Sequence, residues 1–236
     1  MFINYAHRGA SAYAPENTMS AFRLGVELGA NGIETDLRKT RDGVPVLVHD
    51  ANLLRLAGVD KAVADLTYDE LSGIRIKSPD GGPSDRIPTL AEFLDFVKET
   101  PVVIALELKA DGLEEDAVGA LAAYGLADRC VVTSFELNDI EKVRALDPAQ
   151  RVGLLTDAVN DGIVAALKHI GAEQICPKAC ILTPQLVRSL HEEGFSVRAW
   201  GVKDEETMKK AVLCGVDGMT VNFPDRLRQF LRENGI

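Results

Sequence analysis

One rhythm constrains this chain more than any other feature. Short runs dense in Val, Ile and Leu alternate with longer stretches whose apolar residues recur at helical spacing, and the alternation persists to the end of the sequence. "FINYAH" reads as a strand and "NTMSAFRLGVELG" as a helix closed by a glycine, followed by strand "NGIETDLRKT", helix "TLAEFLDFVKE", strand "PVVIALELK" and helix "LEEDAVGALAAYG". Strand "RCVVTSF", helix "LNDIEKVRAL", strand "RVGLLT", helix "DGIVAALKHIG", strand "EQICPK" and helix "TPQLVRSLHEEG" come next. Strand "SVRAWGV", helix "DEETMKKAVLCG", strand "DGMTVN" and helix "PDRLRQFLREN" complete the series. Near-continuous aliphatic strands are those of a parallel sheet covered by helices. Eight strand–helix units in 236 residues therefore predict an α/β protein, a (β/α)8 TIM barrel. A doubly wound open sheet is the alternative, but so many alternating elements in one chain favour closure.

One segment breaks the rhythm. After the second strand, "RDG" is too short for a parallel crossover, so "VPVLVHD" must fold back as a hairpin arm. From there to Pro88 the connection is far longer than ordinary strand-to-helix loops. The expectation for the 50–88 insertion is a lid or substrate wall at the barrel top, against a tolerated surface excursion, because long loops cost little. Thr67 with Glu70 and Thr89 with Glu92 form capping-box pairs, and Thr183-Pro184 is an N-cap followed by proline. With no repeat beyond the rhythm and no low-complexity linker, residues 1–236 are assigned to a single domain.

Charge and composition exclude several classes. The formal net charge of −10 opposes binding to nucleic acid or to an anionic membrane surface. An anionic substrate would have to be held by a local positive patch. No apolar run approaches the ~20 residues of a membrane span, and no basic segment leads into an apolar one at the start, so no membrane insertion and a cytoplasmic location are expected. Cys130, Cys176, Cys180 and Cys214 contain no C-x-x-C pair and no zinc-like spacing, which predicts reduced core thiols. Oligomeric state stays open, a homo-oligomer included.

Chemistry in a barrel belongs at the C-terminal ends of the strands. His7 and Arg8 end the first; Glu34 and Asp36 lie on the second; His49 and Asp50 end the arm; Glu107 and Lys109 lie on the next strand; Phe135, Trp200 and Asn222 end later ones. Residues two apart on a strand share a face, so Glu34 pairs with Asp36 and Glu107 with Lys109. If that face is inward, three carboxylates converge on the mouth with no matching set of cations, which suits a hard ion, Mg²⁺ or Ca²⁺. The competing arrangement is a buried ion pair of Glu34 or Glu107 with Lys109 or Arg8. His7 and His49 flank the cluster as a general acid and base for displacement at phosphorus. Arg8 and Lys109 neutralise the phosphoryl oxygens. Both His7 and Arg8 can reach the site only if the strand ends near His7, and Gly9 permits that turn. Phe135 and Trp200 form an apolar substrate wall or ordinary packing. Glu16 and Asn17 orient Arg8 or line the site, with Asn17 as a helix N-cap favoured. His169 and His191 lie within helices and read as surface residues.

Taken together, "AHRGASAYAPENTMSAF", "GIETDLRKTRDGVPVLVHDANLLR", "DLTYDEL", "IPTLAEFLDF", "ALELK", "AWGVKD" and "DGMTVNFPD" resemble the glycerophosphodiester phosphodiesterases over nearly the whole chain. The resemblance implies a divalent cation on Glu34, Asp36 and Glu107, acid–base roles for His7 and His49, and phosphate binding by Arg8 and Lys109. It implies hydrolysis of small-molecule glycerophosphodiesters, such as glycerophosphocholine or glycerophosphoethanolamine, to glycerol 3-phosphate and an alcohol, as in the bacterial cytoplasmic branch. A lysophospholipase D-like activity and a non-catalytic phosphodiester-binding barrel are the alternatives. The polar "KSPDGGPSD" tract disfavours the first, and the full set of histidines and carboxylates disfavours the second. Two departures from the family pattern, Leu56-Ala57 after Arg55 and Asn222 where an aspartate is common, bear on head-group preference more than on activity.

Overall fold

A computed structural model describes residues 1–236. Its strands are β1 (Ile3–His7), β2 (Gly32–Lys39), β3 (Pro45–Leu47), β4 (Arg75–Ile76), β5 (Asp85–Arg86), β6 (Val103–Leu108), β7 (Cys130–Ser134), β8 (Arg151–Thr156), β9 (Gln174–Pro177), β10 (Ser196–Val202) and β11 (Gly218–Val221). The helices are α1 (Met19–Glu27), α2 (Leu54–Ala57), α3 (Tyr68–Ser72), α4 (Leu90–Lys98), α5 (Glu114–Tyr124), α6 (Leu137–Leu146), α7 (Asp161–Ile170), α8 (Pro184–Glu192), α9 (Glu205–Leu213) and α10 (Pro224–Glu233).

Parallel pairing runs β1-β2-β6-β7-β8-β9-β10-β11 and closes when β11 returns to β1, with Ile3 opposite Gly218 and Ala6 opposite Val221. The ring is the TIM barrel that the rhythm predicts. Its strands carry no free edge, and the helices between them bury the outer faces of the aliphatic runs. β2 outruns β1. Past Glu34 its edge is taken by the antiparallel arm β3, through Leu37 opposite Leu47 and Lys39 opposite Pro45. The arm thus stands on the C-terminal end of β1, which brings His49 over His7's end of the ring.

Two apolar clusters hold these parts. The larger joins the ring to its helices and includes the tilted Phe22–Phe93 pair, with centroids 4.7 Å apart. The smaller lies under the insertion and is built from Val46, Val48, Leu53, Leu56, Leu71, Ile76 and their neighbours. Leu56, one of the departures from the family pattern, is a buried member of that cluster and Ala57 packs against it. The insertion forms α2, α3 and the β4–β5 ribbon, elements too short for their apolar period to be read. The capping box at Thr67 and Glu70 is present, as is that at Thr89 and Glu92, and Pro184 opens α8 after the Thr183 cap.

Gly9 shows why the first turn needs a glycine. At φ +80° a Cβ there would fall 2.4 Å from the carbonyl carbon of Ala21, so α1 can lie directly on the turn only without a side chain. The core-thiol expectation needs one correction. Cys130, Cys176 and Cys214 are buried, but Cys180 is exposed because it sits in the 3-10 turn Ala179–Ile181 at the rim rather than on a strand. No helix is long and apolar enough to cross a membrane.

Candidate active site

Strand register assembles the carboxylates. His7 stands opposite Glu34 on β2, and Asp36 stands opposite Glu107 on β6. Glu34, Asp36 and Glu107 are all buried and each offers an oxygen within 4.8 Å of the other two. The cluster is not without cations, contrary to the expectation from spacing. Arg8 Nε lies 3.1 Å from Asp36 Oδ2, and Lys109 Nζ lies 3.3 Å from Asp36 Oδ1 and pairs with Glu107 Oε1. Both sequence readings, carboxylate cluster and ion pair, therefore coexist. Arg8 opens the tight turn after β1 and Lys109 follows Glu107 by two residues, so each cation reaches the oxygens beside it.

The charges are unequally shared. Burial would raise Asp36, but Arg8 and Lys109 outweigh it and hold this carboxyl below its ordinary range. Glu34 and Glu107 are pushed up, first by burial and then by the negative charge of Asp36. Asp36 Oδ1 is buried and accepts no well-aligned hydrogen bond, with the Lys109 ammonium 3.3 Å away. A buried carboxylate oxygen held by charge alone, beside two carboxyls that resist ionisation, fits a hard, oxygen-seeking divalent cation, and the triad could hold one.

Backbone strain aims the first cation. Arg8 and Asn17 are the chain's two non-glycine residues at positive φ, at 57° and 54°. Such a conformation costs roughly 1–3 kcal/mol and is held here by the Asn17 N–H donating to the Arg8 carbonyl at 2.9 Å. The left-handed turn sets Arg8 off the strand alternation, so it faces the same cavity as His7. Asn17 does not cap α1. Thr18 does, accepting from the Ala21 N–H, while Asn17 Nδ2 donates to Asp36 Oδ2 at 2.7 Å and Asn17 Oδ1 accepts from Thr35 at 2.7 Å. The strained turn makes Thr18, one residue later, the first position with extended backbone suited to a cap.

The two imidazoles have different supports. His7 Nδ1 lies 2.6 Å from Asn222 Oδ1, and its Nε2 lies 3.9 Å from Glu34 Oε2. Burial, then the Arg8 charge, pushes the His7 pKa down to about 4. His49 Nδ1 lies 2.7 Å from Asp50 Oδ1. Asp50 in turn accepts from Arg55 Nε at 2.6 Å, and Arg55 forks onto Glu16 at 2.8 and 2.7 Å. Glu16 also accepts from Arg8 Nη1 at 2.7 Å, so one ionic chain links Arg8 to His49. Burial lowers His49 as well, with Asp36 and Asp50 opposing.

A cavity of about 320 Å³ opens between these groups. His7, Arg8, Glu34, His49, Glu107, Lys109, Phe135 and Trp200 line it; Asp36 lies behind them, fully buried. Phe135 and Trp200 meet edge to face, with centroids 5.0 Å apart, and Trp200 Nε1 donates to the Thr156 carbonyl at 3.2 Å. Of the insertion, no residue lines the cavity. It acts on the site through Asp50 and Arg55.

Sequence reasoning missed Lys203, Thr220 and above all Arg198, which also line the cavity. Arg198 is 1% exposed inside the ring, with Nε 3.1 Å from Gln174 Oε1, its guanidinium 5.2 Å from the Tyr5 centroid, and Nη1 unpartnered. Its signal was available. Arg198 precedes Trp200 by two, so strand alternation puts both on the inner face.

The family model described as the glycerophosphoryl diester phosphodiesterase family matches residues 7–226. A glycerophosphodiester phosphodiesterase of Caldanaerobacter subterraneus subsp. tengcongensis is 31% identical over 241 residues, covering 98% of this chain and 98% of that protein. One from Bacillus altitudinis is 33% identical over 237 residues, covering 94% and 95%. Among solved structures, a phosphodiesterase of Oleispira antarctica in complex with the product sn-glycerol-3-phosphate superposes with a TM-score of 0.86 at 26% identity, covering 97% of this chain and 96% of that one.

Proposed function

We propose, from the premise that this chain belongs to the glycerophosphoryl diester phosphodiesterase family, that it hydrolyses small-molecule glycerophosphodiesters to glycerol 3-phosphate and an alcohol. The observation that carries the reading is the convergence, on one cavity, of two imidazoles from different elements with a carboxylate triad and two cations. Glu34, Asp36 and Glu107 would hold a divalent cation, Mg²⁺ or Ca²⁺, which when bound supplies Lewis-acid charge to a phosphoryl oxygen. Arg8 and Lys109 take the remaining phosphoryl charge as it grows in displacement.

The supports of the two imidazoles divide the proton work. His7 donates its Nδ1 proton to a neutral amide and is held neutral by burial and Arg8, which leaves Nε2 bare to accept the proton of the attacking oxygen. His49 is backed by the carboxylate of Asp50, which opposes the lowering by burial and so suits it to protonate the leaving alkoxide. Trp200 and Phe135 pack against the alcohol.

Metal-stripped protein should release no glycerol 3-phosphate from glycerophosphodiesters, and Mg²⁺ or Ca²⁺ should restore release in the native protein but not in Glu34→Gln. Release that a chelator leaves untouched would remove the metal from the mechanism. Release from a lysophospholipid alone would replace the substrate class.

A further inference from the structure

The cavity has two unlike sides. One carries the carboxylates, imidazoles and phosphate-binding cations; the other is the wall of Phe135, Leu155 and Trp200, with the exposed Lys203 just past β10 and the buried Thr220 on β11. An aromatic corner of that kind is where a quaternary ammonium would bind, because ring faces attract cations. In this chain both rings already carry one. Lys109 Nζ lies 5.8 Å from the Phe135 centroid and Lys178 Nζ lies 5.0 Å from that of Trp200.

Lys178 is held in that place. Its backbone bridges to Trp200, its Nζ lies 2.6 Å from Asp157 Oδ1, and Gly201 makes room for its stem. Gly201 has φ +70°, and a Cβ there would stand 3.3 Å from Lys178 Cγ. Lys203 is exposed and lines the cavity, and it forms no ion pair, since Asp204 beside it caps α9 instead. The acids that line the cavity, Glu34 and Glu107, belong to the buried triad. None is left for a cationic head group.

We propose that this wall selects glycerophosphodiesters whose alcohol is an uncharged polyol, such as a second glycerol, over those carrying choline or another cationic alcohol. The proposal rests on the phosphodiesterase reading and assigns the alcohol arm to the Phe135–Trp200–Lys203 side. A polyol hydroxyl accepts from Lys203 Nζ, Thr220 Oγ1 offers a lone pair, and the polyol's C–H groups pack on the aromatic corner. A trimethylammonium of similar bulk meets rings whose attraction is already shared with Lys109 and Lys178, and the positive charge of Lys203, with no free acid beside it.

The test compares kcat/KM for glycerophosphoglycerol and glycerophosphocholine on the metal-loaded native protein. Like charges about 6 Å apart in a partly exposed site shift a rate roughly tenfold, so about that ratio is expected in favour of glycerophosphoglycerol at low salt. The ratio should shrink as salt approaches about 0.5 M, which a purely steric preference would not do. Lys203→Glu should narrow or invert it, and Lys203→Gln should narrow it less. Equal efficiency on the two diesters, or a ratio that neither salt nor Lys203→Glu moves, overturns the preference and leaves the phosphodiesterase reading intact. No release from either diester breaks that reading and the preference with it.

Discussion

His7 and His49 face one cavity from two differently built regions. His7 ends a ring strand that pairs on both sides and lies on the larger core, and its support, Asn222, follows the neighbouring strand β11. His49 ends an arm packed on the small cluster, and its support is ionic, running through Asp50 and the half-exposed Arg55 to Glu16. The difference teaches that an acid–base pair need not share one scaffold. A closed ring positions its residue by hydrogen-bonded backbone on both edges, whereas the arm relies on apolar burial by a few side chains and on charge.

The sharpest way to break the comparison is to remove each imidazole. If the regions contribute equally to chemistry, His7→Ala and His49→Ala each lower kcat by about 10²–10⁴-fold, and the double variant is little worse than either because the two act as a unit. A single variant near native turnover would show that one region is a spectator.

Stability should separate the regions next. Phe93 is fully buried against Phe22, and Phe93→Ala is expected to cost about 3–5 kcal/mol, seen as loss of hydrogen-exchange protection throughout the ring. Leu71 is fully buried in the small cluster, and Leu71→Ala is expected to cost about 2–5 kcal/mol. That loss should open α3 and its neighbours while β6 amides stay protected. Uniform loss of protection in Leu71→Ala would mean that ring and insertion unfold as one unit.

Exchanging the supports should move the pH–rate profile in opposite directions. Asp50 favours protonated His49, so Asp50→Asn lowers that pKa and shifts the alkaline limb, where the acid loses its proton, to lower pH. A hydrogen bond to a charged group is worth about 1.5–3 kcal/mol, so kcat should also fall roughly 10- to 100-fold. In Asn222→Asp a new carboxylate faces His7, whose pKa now lies depressed at about 4. The acidic limb, where the base gains its proton, should move to higher pH. Movement of the acidic limb in Asp50→Asn and of the alkaline limb in Asn222→Asp would exchange the two roles.

Arg55→Met is expected to do least. The side chain is half exposed, and each exposed pair contributes about 0–1 kcal/mol. Thermal stability should change by only a few degrees and kcat by less than about fivefold. A loss as large as that of Asp50→Asn would mean that the ionic chain from Arg8 to His49 acts as a whole.

Much of this was legible in the residues. The period of the apolar pattern changes eight times from strand to helix, and the ring and its helices follow that count. Strand alternation brought Glu34 to Asp36 and Glu107 to Lys109, and the shortness of "RDG" required the arm. The insertion was not legible, because helices of four or five residues and two-residue strands are too short to show a period. The misassigned Asn17 has a different origin. Its residue type suits a cap, but its left-handed backbone and its contacts with Thr35 and Asp36, across 18 and 19 positions, withdraw it from that role.

By itself, then, the sequence determined what depends on neighbours along the chain: the order of strands and helices, their caps, which side chains share a face, and so the identity of the groups at the mouth. Tertiary structure alone decided what depends on distant partners. It pairs the carboxylates with Arg8 and Lys109, runs Glu16 to Arg55 across 39 positions, buries Arg198 inside the ring, and lays Lys178 over Trp200. Local propensity acts over a few bonds, whereas charge, burial and ring faces act through space. A linear pattern therefore names the candidates, and closure of the barrel chooses their partners.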